Sequence, residues 1–154
     1  MGVEYRIDTA LELLLIRQWG IREPAEMSAL FQAFGTDPDF IPGMDSLTDT
    51  RQMTGGEFDS AAVMSAALRA SMMLAETGRI SRQAMLVPCD GPGRDLMQRY
   101  ASFAGTSPNI QVKLFDCSGA ALAWLDRSQA DIDDLLGENA RWLRVNGQGE
   151  DTLS

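Results

Sequence analysis

An unbroken apolar run near the start of the chain, Leu13-Leu14-Leu15-Ile16, sets the terms for folding. Successive side chains of a strand point to opposite faces of a sheet, so a run with no polar member needs cover on both faces. That is the pattern of a central strand with helices on either side. The run lies within residues 11–19, which read as one strand, and residues 3–7 read as another. Asp8, Thr9 and Ala10 separate the two. Three residues are too few for a crossover, so the pair is expected to be an antiparallel hairpin.

Beyond Gly20, which is read as closing the second strand, helical and strand patterns alternate. Pro24 suits a first helical turn, and Met27, Leu30, Phe31 and Phe34 recur at helical spacing up to Gly35. A Pro- and Gly-rich loop leads to a third strand at 45–51, which carries many polar residues, and Thr54-Gly55-Gly56 reads as a break. Asp59 is placed to cap a helix over 61–74. This helix is apolar around most of its circumference, with Ser65, Arg69 and Glu76 as a narrow polar stripe. A strand at 83–89 follows, then the loop Asp90-Gly91-Pro92-Gly93. Next come a helical face of Leu96, Met97, Tyr100, Phe103 and Ala104, a strand at 110–115 and a short helix at 120–125. Ser128 and Asp131 resemble a capping pair before a final helix with Ile132, Leu135, Leu136 and Leu143 on its apolar face. The expected fold is α/β, a mixed and mostly parallel five-stranded sheet with an N-terminal antiparallel hairpin and flanking helices. One domain covers 1–126, residues 127–146 extend it as a helix, and 147–154 form a loose tail.

Charge and composition narrow the function classes. With 22 acidic against 13 basic side chains the net charge is −9, which repels phosphate backbones and anionic lipid surfaces. Nucleic acid is not an expected partner. There is no histidine, which removes the commonest general base and metal ligand. The two cysteines, Cys89 and Cys117, form no Cys-x-x-Cys pair. No cofactor is implied. The run 11–16 is too short to span a bilayer, and residues 1–8 lack the pattern of a secretory signal. The expected location is the cytoplasm.

Two places stand out as candidate ligand sites. Ligands of parallel α/β sheets favour the carboxyl ends of strands, and Asp49, Arg51, Cys89, Asp90, Arg94 and Asp116 fall at or just beyond three such ends. A cation held by Asp49, Asp90 and Asp116 in a metal-dependent enzyme is one reading. Asp is equally a loop and cap residue, and no paired Asp-x-Asp motif supports the metal. Gly91-Pro92-Gly93-Arg94 lacks the third glycine of a dinucleotide loop and the lysine of a P-loop, so it reads as a turn. The second place is the Ala- and Met-rich helix. Met64, Leu68 and Met72 give it a soft apolar surface, which is expected to line a pocket for a small apolar or lipid-like ligand or to form a homodimer patch.

Several segments together resemble the SpoIIAA-like group related to STAS domains. They are the opening hairpin, Asp39-Phe40-Ile41-Pro42-Gly43-Met44-Asp45, the strand ending Asp49-Thr50-Arg51, the apolar strand from Met85 to Pro88, and Val112-Lys113-Leu114-Phe115-Asp116 followed by Ala120-Ala121-Leu122-Ala123-Trp124-Leu125. The resemblance spans about residues 3–126. It implies a bacterial binding or regulatory module, since such domains resemble both anti-sigma-factor antagonists and Sec14-type lipid-binding domains, and it implies no enzymatic activity. In the antagonists a phosphorylated Ser opens the helix after the third strand. Ser60, in Phe58-Asp59-Ser60-Ala61-Ala62, matches it without the glycine of that motif. The implied alternative is therefore a phosphorylation-switched protein-interaction domain with Ser60 as acceptor.

Overall fold

A computed structural model of the chain describes residues 2–56, 59–74, 78–137 and 142–145. The expected hairpin consists of β1 (Gly2–Asp8) and β2 (Leu13–Arg22), antiparallel with Ile7 opposite Leu14. In its turn Asp8 accepts the Leu11 N–H at 3.0 Å and Glu12 takes a φ of 50°. The second strand therefore starts at Leu13 and not at Leu11. It also continues past Gly20, its expected end. Gly20 has a φ of 74° beside a register shift, a bulge conformation that glycine takes without a Cβ clash.

Three crossovers follow: α1 (Pro24–Gly35), β3 (Asp45–Gly56), α2 (Ser60–Leu74), β4 (Ser81–Leu86), α3 (Pro92–Ala104) and β5 (Ile110–Phe115). Strands β2, β3, β4 and β5 are parallel neighbours in chain order. Each right-handed crossover steps the same way, so α1, α2 and α3 all cover one face. β3 reaches Gly56, beyond the expected Arg51, because its second half pairs with Trp19 through Arg22 of β2. Thr54-Gly55-Gly56 is thus strand. The five strands of the expected mixed sheet are all present.

Alternation along the strands sorts the core into two layers. Leu14 and Ile16 face α1, α2 and α3, with Leu30, Phe34, Val63, Ala67, Leu96 and Met97. Leu13 and Leu15 face the opposite way, with Leu47, Ala84 and Leu86, under α4 (Ser118–Trp124) and α5 (Ile132–Leu136). The apolar run of β2 is buried on both sides, as its composition requires. Gly91, with a φ of 89°, turns the chain into α3, and Gly93 lets that helix approach β3: a Cβ on Gly93 would lie 2.7 Å from the Met53 carbonyl oxygen. Close packing accounts for the second glycine of Gly91-Pro92-Gly93.

The C-terminal extension differs from the single helix read from its apolar pattern. Asp131 caps α5 by accepting the Asp133 N–H at 2.9 Å, but α5 ends at Leu136. Leu143 belongs to β6 (Leu143–Val145), which pairs antiparallel with β1 and adds a sixth strand at that edge. A strand edge offers unpaired backbone donors and acceptors, and β6 pairs with those of β1. Trp142 donates its indole N–H to the Gly137 carbonyl at 3.1 Å and lies over the Arg17 guanidinium, 4.4 Å from the ring centre. The tail expected at 147–154 lies outside the described residues.

One polar network holds the amino ends of the strands. Asp45, 8% exposed at its side chain, accepts from Arg127 at 2.6 Å and from the Arg82 guanidinium at 3.2 Å and backbone N–H at 2.9 Å. Arg127 also donates to the carbonyls of Leu11, Glu12 and Leu125, and Arg82 to those of Trp124 and Leu125. Removing one member of a buried ion pair typically costs about 3–5 kcal/mol. Asp45→Ala is expected to destabilise the protein by about 3 kcal/mol in urea unfolding; a loss below about 1 kcal/mol would show that the network does not anchor the fold.

Candidate functional site

At the carboxyl end of the sheet the expected residues resolve into two ion pairs. Asp49 binds Arg51 through both carboxylate oxygens, each at 2.9 Å. That hydrogen bond holds the Arg51 guanidinium above its ordinary pKa, against partial burial and with help from the Asp49 charge. Both residues lie within β3, level with the end of β4 where Asp49 faces Leu86, rather than at the end of their own strand. Arg94, in the first turn of α3, donates to the Pro88 carbonyl at 3.0 Å and to Asp116 at 2.9 Å, tying the loop after β4 to that after β5. Cys89 and Asp90 sit exposed in the first of these loops.

Among the described residues no three Asp, Glu, Cys or His side chains gather closely enough to hold a metal ion. Asp49, Asp90 and Asp116 therefore form no joint cation site, and two of them are engaged by arginines. Crevices open where successive crossovers leave a sheet in opposite directions, and here β2 through β5 follow in one direction.

Cys117 precedes α4 and is exposed. Backbone N–H groups of Ala120 and Gly119 lower its thiol pKa, outweighing slight desolvation. In a Cys89→Ser variant, the pH midpoint for iodoacetamide reaction at Cys117 is expected to lie below that of the urea-unfolded chain; equal midpoints would contradict it.

The exposed apolar residues of α2 form one stripe. Met64, Leu68 and Met72 are 50%, 62% and 78% exposed at i, i+4 and i+8. Ser60 is exposed one turn before Met64 on the same side, and Asp59 caps the helix by accepting the Ala62 N–H at 2.8 Å.

The opposite side of α2 borders a different feature. Val63, Ala66 and Leu74 roof a chamber between the helices and the sheet. Two adjoining hollows share Gln18, Met27, Met97 and Tyr100, and the larger offers about 40 Å³ to the centres of water-sized groups. A water needs about 10–15 Å³ of such room, so this space exceeds one water. The walls are apolar and rich in methionine: Met27, Met53, Met85 and Met97. The floor is polar, with Gln18 from β2, Ser46 and Thr48 from β3 and Gln83 from β4, all buried. Ser46 and Gln83 are direct cross-strand partners. None of the lining residues carries a charge.

Met64, Leu68 and Met72, expected to line a pocket, lie on the exposed side of α2 and not on this chamber. The chamber's signal was present in the polar residues of the third strand, where Ser46 and Thr48 flank Leu47. Leu47 points to the α4 side and its neighbours to the α1–α3 side. Gln83 beside Ala84 repeats the pattern.

Tyr100 closes the chamber from α3 and donates its hydroxyl to Gln83 Oε1 at 3.2 Å. Burial pushes its pKa well above the usual 10.0. A group whose folded pKa is raised supports the fold below its unfolded pKa, and that support fades as pH rises above it. Stability is therefore expected to fall with pH above about 10, and Tyr100→Phe to flatten that fall. Identical urea midpoints against pH in both proteins would exclude the effect.

No protein-family model matches the chain, and no curated protein sequence does. Among solved structures it is similar to an uncharacterised DUF3478-family protein with a SpoIIAA-like fold from Shewanella loihica PV-4. The TM-score is 0.54 at 17% identity, covering 80% of this chain and 94% of that one. Among the described residues no helix is long and apolar enough to cross a membrane. The hairpin, the three one-way crossovers and the covering helices are those of a SpoIIAA-like fold.

Proposed function

We propose that this chain is a non-enzymatic binding or regulatory module whose ligand is a small, largely apolar molecule held in the chamber beneath α2. The observation that carries this reading is the chamber's composition. An uncharged polar floor and methionine walls suit an apolar body with one polar end. Methionine side chains re-pack at low cost, so the walls adapt to a guest larger than the space they leave now. Native mass spectrometry tests the reading. The protein as purified is expected to carry a small organic mass, retained by Leu68→Glu on the outer stripe and lost in Ala66→Leu, which fills the roof. A bare chain in all three proteins overturns it.

A second reading rests on the alignment of Ser60 with the exposed stripe. A phosphate there adds about two negative charges next to Met64, at the positive end of a 15-residue helix. Such a charge would switch a protein partner, or a second copy of the chain, on or off the stripe formed by Met64, Leu68 and Met72. Kinase treatment followed by intact-mass mapping decides it: modification at Ser60 supports the switch, and modification elsewhere or none removes it.

A further inference from the structure

Building on the chamber as the binding site, we propose that Gln83 is its polar anchor and that the ligand is a neutral molecule presenting a carbonyl-type acceptor on an apolar body. The Gln83 side chain has an unfinished set of hydrogen bonds. Tyr100 occupies Gln83 Oε1. Gln83 Nε2 is the sole buried side-chain polar atom without a partner among the described residues. Gln83 itself is 3% exposed and lines the larger hollow. Native interiors leave few buried donors unpaired, because water is lost and nothing replaces it. An amide held by one end and unpaired at the other is therefore arranged to receive an acceptor.

Charge decides which acceptor. No Lys or Arg lines either hollow, so a carboxylate or phosphate would lose its hydration with no countercharge. Burial keeps Tyr100 protonated, and its proton is already committed to Gln83. A ketone, ester or amide oxygen meets the free N–H without that penalty. Beyond Gln18, Ser46 and Thr48 on the floor and the Tyr100 hydroxyl, the lining is hydrocarbon and thioether, which suits an apolar body for the rest of the ligand.

The test uses the full chain carrying ¹³C-labelled methionine methyls. Met27, Met53, Met85 and Met97 report on the chamber, whereas the exposed Met64 and Met72 report on the outer stripe and on intact folding. The probes are 2-hexanone, valerate and toluene. Saturable shifts of the chamber methyls with 2-hexanone, an affinity about tenfold lower in Gln83→Met, and no such loss for toluene are expected from one hydrogen bond. A Gln83→Met Tyr100→Phe variant, which leaves no orphaned partner, serves if the single variant misfolds and is expected to show the same loss. Equal 2-hexanone affinity with and without Gln83 overturns the anchor and leaves the chamber reading standing. Tighter binding of valerate overturns the neutral class. If no probe moves a chamber methyl, the chamber holds buried water alone and both readings fall.

Discussion

The carboxylate of Asp45 is the point on which the architecture turns. It sits at the start of β3 and is shared by Arg82 of β4 and Arg127 from the segment after α4. The same arginines donate to carbonyls of the hairpin turn and the end of α4. One buried charge thereby joins four separate parts of the chain at the amino ends of the strands. Bringing a carboxylate out of water is unfavourable by several kcal/mol, and it is offset only when its oxygens are fully hydrogen bonded. Two guanidinium groups and a backbone N–H meet that condition here. Arg127 reaches Asp45 from a segment whose preceding helix, α4, packs against Leu15 and Leu47.

A second pair does comparable work at the other side of the sheet. Glu4, 2% exposed, accepts from Arg17 at 2.7 Å across the hairpin. Arg17 carries Trp142 above it and reaches the Leu136 carbonyl. The strand β6 is thus seated by a stacked cation as well as by its ladder with β1. Edge strands of three residues contribute little by themselves, so the stacked arginine explains why so short a strand stays in place.

The proposed binding site lies where the sheet departs from its own rule. Most inward positions on the α1–α3 side are apolar, but Gln18, Ser46, Thr48 and Gln83 are not. A protein selecting only for stability would fill this floor with aliphatic side chains and close the hollow, since cavities and buried amides both weaken a fold. Violations of core patterning concentrate at sites of function. The carboxyl-edge residues tell the opposite story. Asp49 with Arg51 and Arg94 with Asp116 neutralise each other, and exposed pairs of this kind contribute little.

Much of the fold was legible in local pattern. The Leu13–Ile16 run required a doubly covered strand, the hairpin followed from a three-residue break, and the helices followed from apolar spacing with Asp59 and Pro24 at their starts. Strand ends were misjudged where glycine served a bulge, as at Gly20, or a paired strand, as at Gly55 and Gly56. The extension misled because Leu143 fits a helical face as well as a strand, and only the open edge of β1 distinguishes them. The site was less legible. Sequence periodicity reports which face a residue occupies, but not which residues from distant strands share it. Gln18, Ser46, Thr48 and Gln83 are separated by up to 65 positions and meet because parallel pairing sets Ser46 beside Gln83. Local physics, propensity and alternation, determined the elements and their buried faces. The chamber, the Asp45 network and the orphaned amide of Gln83 were decided by tertiary structure, because each depends on register and on which helix covers which face.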